Sequence, residues 1–256
     1  MPSTRRVIVT RPAREGRRWI AEAQGAGFEA VALPLIVIDK VADAGALRAV
    51  RERLADWSAL MFVSAAAAEH FFEGMALGAD LPRCWATGPG TVRGLREAGV
   101  PAACIDAPTA GAEQFDSETL WADVRAQVGP GTRVLIVRGG DAAGAPIGRG
   151  WLAQEIEAAG GRIDTVVAYR RLAPVLGEAE RQLASAAAAD GSVWLFSSSE
   201  AIANLRAALP ALRWDQARAV ATHPRIGAAA RAAGFGSVRV APPGQAALIA
   251  SIESFA

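Results

Sequence analysis

Short apolar runs alternate with helical periodicity along most of the chain. Val7-Ile8-Val9 and Val134-Leu135-Ile136-Val137 are continuously apolar, as in strands covered on both faces, rather than alternating as in a half-exposed sheet. Runs of this kind predict strands near 6–10, 60–64, 83–87, 103–106, 133–138, 193–197, 218–222 and 237–241, with helical patterns after most of them. Such alternation is the signature of parallel sheets wound by crossover helices, so the expected class is three-layered α/β. Two extended, β-rich segments, 28–41 and 162–174, are too long for one ordinary strand and break the pattern.

The pattern also repeats. Leu60-Met61-Phe62-Val63-Ser64 runs into an Ala-rich helix, and about 134 residues later Trp194-Leu195-Phe196-Ser197-Ser198-Ser199 runs into Glu200-Ala201-Ile202. Cys84-Trp85-Ala86-Thr87-Gly88-Pro89-Gly90 parallels Ala219-Val220-Ala221-Thr222-His223-Pro224-Arg225, and Val7-Ile8-Val9-Thr10-Arg11 parallels Leu135-Ile136-Val137-Arg138. A period this long indicates two related domains rather than a solenoid. The expectation is a discontinuous first domain, 1–36 and 172–256, and an inserted second domain, 41–165. The segments 28–41 and 162–174 form a two-stranded β linker between them. Facing halves make a cleft, the usual place for a ligand, and a paired-strand hinge lets such halves tilt.

A chain of 256 residues, 52% hydrophobic, can bury roughly 70–75% of its unfolded surface. Lys+Arg 27 against Asp+Glu 26 leaves a net charge of +1, with neither a basic field for nucleic acid nor an acidic tail. Lys40 is the single lysine and does not follow a Gly-rich turn, which removes phosphate-loop and Schiff-base chemistry. Cys84, Cys104, His70 and His223 lack metal-ligand spacing, so neither a metal site nor a disulfide framework is expected. Residues 1–6 lead into a strand without a signal-peptide pattern, and no run reaches the roughly 20 apolar residues of a membrane span. The expected setting is cytoplasmic, with no membrane contact.

Candidate chemistry lies at predicted strand ends. Gly88-Pro89-Gly90-Thr91-Val92-Arg93-Gly94 would present backbone N–H groups at a helix N-terminus, suited to an anion. As a dinucleotide fingerprint it is weak, because it is not in the first strand–helix unit, and the nearest acidic residue at the end of a next strand, Asp106, is followed by Ala-Pro rather than by a second crossover of the expected kind. Ser64, Thr87, Ser197, Ser198, Ser199 and Thr222 end strands where open α/β sheets bind ligands; for each one, helix capping is the plainer explanation. No Gly-x-Ser-x-Gly elbow supports a serine nucleophile. His70, beside Phe71-Phe72, reads as a core or surface histidine, while His223 opens a helix and either caps it or meets an anion. Arg11, Arg138, Arg149 and Arg225 follow strand ends or lie in loops, where a guanidinium can hold a carboxylate bidentately or simply remain a surface charge. Tyr169, the single tyrosine, lies in the second linker segment beside Arg170-Arg171; its hydroxyl either sits at the rim or points into the cleft.

Taken in order, Thr10-Arg11-Pro12, Phe62-Val63-Ser64, Thr87-Gly88-Pro89-Gly90-Thr91, Arg138-Gly139, Tyr169-Arg170 and Phe196-Ser197-Ser198 resemble the uroporphyrinogen-III synthase family over essentially the whole chain. The resemblance implies two α/β domains on a two-stranded linker, binding the linear tetrapyrrole hydroxymethylbilane. It implies ring closure with inversion of ring D to uroporphyrinogen III, in haem and related biosynthesis, by a monomer without cofactor or metal and with transient access to the bilane-forming enzyme. Tyr169 would then contact the leaving hydroxyl. Arg11, Ser64, Thr87, Gly88, Gly90, Thr91, Arg138, Arg149, Ser197, Ser198, Thr222, His223, Pro224 and Arg225 would hold acetate and propionate groups, with Ser64 and Ser197 gripping from separate domains.

Two departures stand out. Relatives have a compact Gly-Gly-Arg turn where this chain has residues 140–147 before Gly148-Arg149, and Ile226 occupies a position where some relatives carry a threonine. Two other classes fit the two-domain outline: a two-lobed cytoplasmic binding protein for a small anion, and a twin-Rossmann glycosyltransferase. The chain is short for the latter and lacks a clear nucleotide-sugar site.

Overall fold

The computed structural model describes residues 5–78, 80–108, 117–147, 150–242 and 245–255. The chain opens with β1 (Arg6–Val9), α1 (Ala13–Gly25) and β2 (Glu29–Ala32). It continues through β3 (Val37–Lys40), α2 (Gly45–Arg51), β4 (Ala59–Phe62), α3 (Ala65–Phe72), β5 (Arg83–Ala86), α4 (Pro89–Glu97) and β6 (Ile105–Asp106). Next come α5 (Ser117–Val124), β7 (Arg133–Gly140), α6 (Trp151–Ala158) and β8 (Arg162–Leu172). The last part is α7 (Glu178–Ala187), β9 (Val193–Phe196), α8 (Ser199–Ala208), β10 (Arg218–Ala221), α9 (Pro224–Ala232), β11 (Ser237–Val240) and α10 (Gln245–Glu253).

These elements form two compact units, one of Met1–Val37 with Leu172–Ala256, the other Ile38–Arg171. The extended stretch 28–41 is broken in the middle. Its first part, β2, pairs with β1 in the first sheet, and its second part, β3, takes the edge beside β8 in the second.

The second unit's sheet has the order β3-β8-β7-β4-β5-β6, with parallel pairing from β8 through β6. Side-chain alternation sorts its core. Leu60, Phe62, Leu135 and Val137 face Leu47 of α2, Ala66, Ala67, Phe71 and Phe72 of α3, and Leu95 of α4. Ala59, Met61, Val134 and Ile136 face Leu120 and Val124 of α5, and Leu152 and Ile156 of α6. Helices on both faces explain why every residue of β4 is buried and why this strand reads as one apolar run.

The first unit's sheet, β11-β10-β9-β1-β2, is parallel throughout. On one face Val7, Val9, Val193, Leu195 and Val220 pack with Ala23 of α1 and with Leu248 and Ile252 of α10. On the other, Trp194, Phe196, Trp214 and Phe235 form a ring cluster with centroids 5.2–6.1 Å apart.

The two sheets share one topology, circularly permuted. β4, β5, β6, β7 and β8 occupy the places of β9, β10, β11, β1 and β2, and the second unit is inserted after β2. In each sheet the winding direction reverses between two central strands, β4 and β7 in one, β9 and β1 in the other. The crevice outside the carboxyl ends at such a reversal is where open α/β sheets bind ligands. Among the described residues no helix is long and apolar enough to cross a membrane.

Candidate active site

At the carboxyl end of β4, Ser64 caps α3, its Oγ accepting the Ala67 N–H at 3.1 Å. The same oxygen shares a hydrogen bond with the Tyr169 hydroxyl, also 3.1 Å away. Tyr169 reaches this position through a bulge. β7 and β8 run in register up to Arg138 opposite Val167, after which Gly139 pairs with Tyr169 and Ala168 is the extra residue. Strict alternation would put Tyr169 on the face of Val167. A one-residue shift reverses that, so Val166, Ala168 and Tyr169 all join the core on the α3 side.

Three further features hold the ring. A Cβ on Gly139 would lie 2.6 Å from Tyr169 Cζ and 2.8 Å from its hydroxyl oxygen, so the tyrosine fills the space that any other residue at 139 would claim. The His70 ring stacks on the Tyr169 ring with centroids 5.8 Å apart and planes at 29°. Tyr169 is 2% exposed. Next to it, burial holds the Arg138 guanidinium below the ordinary arginine range, an effect partly opposed by Tyr169. Arg138 does not follow the strand but lies inside β7, two residues before its end and half-buried; a partly desolvated cation is a costly group to keep and a strong one for a carboxylate.

The next strand end carries the Gly88-Pro89-Gly90-Thr91 turn. Gly88 caps α4 in extended backbone and Pro89 takes the first helical position, where its missing N–H costs nothing. Gly94 has the structural requirement: a Cβ there would lie 2.9 Å from Ala65 Cα, so only glycine lets α4 close on the first residue of α3. Gly90 meets nothing within 4 Å. Thr87 is half-buried and Thr91 buried.

The first unit repeats these caps with different atoms. Ser198 Oγ accepts the Glu200 N–H at 3.2 Å at the start of α8. His223 Nδ1 accepts the Arg225 N–H at 3.1 Å at the start of α9, with Pro224 first in the helix. The counterpart of Ser64 is therefore Ser198, the capping residue, and Ser197 is the residue between strand and cap. The Thr222 N–H donates to the Phe196 carbonyl at 3.1 Å, extending the β9–β10 ladder. Thr10 Oγ1 donates to the Leu195 carbonyl at 2.6 Å, a buried tie between β1 and β9. Arg11 pairs with Glu15 at 2.9 Å and lies 4.7 Å over the Trp19 ring, whereas Arg225 is exposed. Ile226 is buried like Thr91.

The 140–147 segment is a tight hairpin. The Asp141 carboxylate accepts the Ala143 and Ala145 N–H groups, both at 2.9 Å, and Arg170 pairs with Asp39 at 2.7 Å while reaching the Ala142 carbonyl. Arg149 lies outside the described residues. Burial pushes the Cys84 thiol up to about 12, as befits a core thiol and not a nucleophile. From sequence His70 reads only as a core or surface histidine and Gly139 only as part of the Arg138-Gly139 motif, while nothing there marks Ala168. The doubled glycine of Arg138-Gly139-Gly140 was a usable signal, since glycine in a strand often marks a bulge or a close approach.

Ser64→Ala removes both the cap and the hydrogen bond to Tyr169. We expect a loss of about 1 kcal/mol, seen in thermal melts as a drop of about 2–4 °C. An unchanged melting temperature would mean that the cap contributes nothing.

Comparison with known proteins places the chain within one family. Residues 17–250 match the family model described as uroporphyrinogen-III synthase HemD. Among curated proteins no match is found. A uroporphyrinogen-III synthetase from Helicobacter pylori is structurally similar, at 15% identity and a TM-score of 0.60, covering 98% of this chain and 100% of that one. A mutant uroporphyrinogen III synthase from Thermus thermophilus aligns at 18% identity and a TM-score of 0.56, covering 98% of each chain. At these identities the likeness to the two structures is one of fold.

Proposed function

The chain belongs to the uroporphyrinogen-III synthase family, and we propose that it catalyses mainly by holding its substrate, with Tyr169 assisting the one bond that must break. The protein is an enzyme of haem biosynthesis: it cyclises hydroxymethylbilane, with inversion of ring D, to uroporphyrinogen III. The observation that carries this reading is the family match across residues 17–250. Because closure releases one water, the enzyme is assigned as a cyclising hydro-lyase.

The substrate's chemistry suits the strand ends. Its carboxylates need many donors, and helix N-termini, capping hydroxyls and a few arginines supply them without making the protein basic overall. Arg138, with Ser64 and the turn at Gly88-Pro89-Gly90-Thr91, is assigned to acetate and propionate groups in the second unit. Ser197, Ser198, Thr222, His223, Pro224 and Arg225 are assigned to them in the first. Arg11 can join these once its bond to Glu15 opens.

The step itself begins with departure of the ring-A hydroxyl, driven by the pyrrole nitrogen's electron pair, to leave an azafulvene. The substituted carbon of ring D attacks this to form a spiro intermediate. The bond from that carbon to the bridge from ring C then breaks, the freed bridge carbon bonds to the free α-carbon of ring D, and loss of the proton from that α-carbon completes the water released. The Tyr169 hydroxyl donates to the departing oxygen. Ser64 supports it, since its Oγ accepts the Ala67 N–H and is free to donate its own proton to the tyrosine oxygen. The chain of hydrogen bonds thus starts at the N-terminus of α3, whose partial positive charge stabilises negative charge developing at its far end. Orientation carries the rest of the catalysis. Because free bilane closes spontaneously to the wrong isomer, the reading further takes the protein as a cytoplasmic monomer acting close to the enzyme that releases it.

The test is incubation with freshly generated hydroxymethylbilane, followed by oxidation and separation of the isomers. The type III isomer is expected to predominate. Type I alone, as in the control without enzyme, would refute the assignment.

A further inference from the structure

We propose that His70 is a positioning residue for Tyr169, its imidazole serving as the planar wall that keeps the phenol directed at Ser64. This rests on the reading that the Tyr169 hydroxyl assists departure of the substrate's hydroxyl.

Tyr169 is held at three points that differ in kind. Its hydroxyl is tied to Ser64 by a hydrogen bond of 3.1 Å. Its hydroxyl end presses on the backbone at Gly139, where there is no room for a Cβ. Its ring stacks on His70. The first two contacts act at the oxygen end, and a hydrogen bond to a single oxygen leaves the ring free to swing about that end. A flat partner against the ring body removes this freedom, and offset stacking at this separation is the preferred geometry for two such rings.

His70 is well placed for the task. It lies in the last turn of α3, and helical side chains lean back toward the N-terminus of their helix, here toward Ser64. One helix therefore supplies both the hydrogen-bond partner and the wall, and the distance between them is set by α-helical geometry rather than by a loop. The end of α3 is itself anchored. The Arg51 guanidinium of α2 donates to the His70 carbonyl, and Glu73, just past the helix, pairs with Lys40 at 3.0 Å. Burial lowers the pKa of Arg51 while Glu73 opposes the shift, which places the carboxylate and the guanidinium in one electrostatic group around this turn.

The experiment compares His70→Ala, His70→Leu and His70→Phe, measuring kcat and KM for freshly generated hydroxymethylbilane alongside a thermal melt. Loss of the wall is expected to lower kcat about tenfold in the Ala and Leu variants with KM little changed, since a misplaced group loses rate before it loses binding. The Leu variant guards against a simple cavity effect, and the Phe variant, which keeps a planar ring, is expected to restore most of the rate. In the Tyr169→Phe background, where there is no hydroxyl left to aim, His70→Ala is expected to add less than about twofold. Full additivity in that background, a silent His70→Ala, or a Phe variant no better than Leu would each overturn the proposal while leaving the role of Tyr169 intact. Wild-type turnover by Tyr169→Phe alone would overturn both.

Discussion

Tyr169→Phe is expected to turn over hydroxymethylbilane about 10-fold to 10²-fold more slowly than the wild type, at or below the low end for a positioned proton donor. The effect is bounded because the pyrrole nitrogen, not the protein, supplies the electrons that expel the hydroxyl. It should appear in kcat, as an interaction made in the transition state. Folding should survive. Ser64 keeps its bond from the Ala67 N–H, the ring keeps its place against Gly139 and His70, and loss of one hydrogen bond costs about 1 kcal/mol. Single-turnover rates with isomer analysis, run beside a thermal melt, separate the two effects. Wild-type turnover would remove Tyr169 from the mechanism.

Gly236→Ala is expected to have the largest effect on stability. A Cβ at Gly236 would lie 1.8 Å from the Asp215 carbonyl oxygen, a backbone clash that no side-chain rotation relieves. The Gly236 N–H donates to the Trp214 carbonyl at 3.1 Å, and Trp214 stacks on Phe235 with centroids 5.2 Å apart. Moving the strand away would therefore disturb the aromatic core together with the start of β11. Overpacking of this kind reaches the upper end of about 1–3 kcal/mol or beyond, which corresponds to a melting temperature lower by roughly 6–12 °C. Gly25→Ala, at a glycine with nothing within 4 Å, is the control and should be neutral or stabilising by up to about 1 kcal/mol. Equal melting temperatures for the two variants would refute the steric argument.

Much of the framework could be read along the chain because its causes are local. Strands such as Val134–Val137 are buried on both faces, so each needs an unbroken apolar run. The caps at Ser64 and Ser198 are bonded within three residues, so their signal sits beside the helices they open. Where the local signal was shared between neighbours, the reading slipped by one residue. Ser197 and Ser198 look alike in sequence, and only the hydrogen bond to the Glu200 N–H identifies Ser198 as the counterpart of Ser64. The weak strand at 103–106 reduces to the two residues of β6 because a short 3₁₀ turn, Ala102–Cys104, takes up the rest. His223 stood between capping and anion binding, and its Nδ1 is used by the Arg225 N–H.

The sequence by itself determined two related α/β halves, the strand ends that matter, and a single tyrosine in the second extended crossing. Hydrophobic periodicity and capping act over a few residues and repeat with the duplication. Only the tertiary structure decided that this tyrosine faces α3. That outcome depends on one extra residue, Ala168, in the pairing of β8 with β7, on a missing side chain at Gly139, and on two partners far away in sequence, Ser64 and His70. Alternation within a strand can be counted, but a bulge exists only relative to the neighbouring strand. The face on which the proposed chemistry lies was therefore set by contacts across 105 residues of chain.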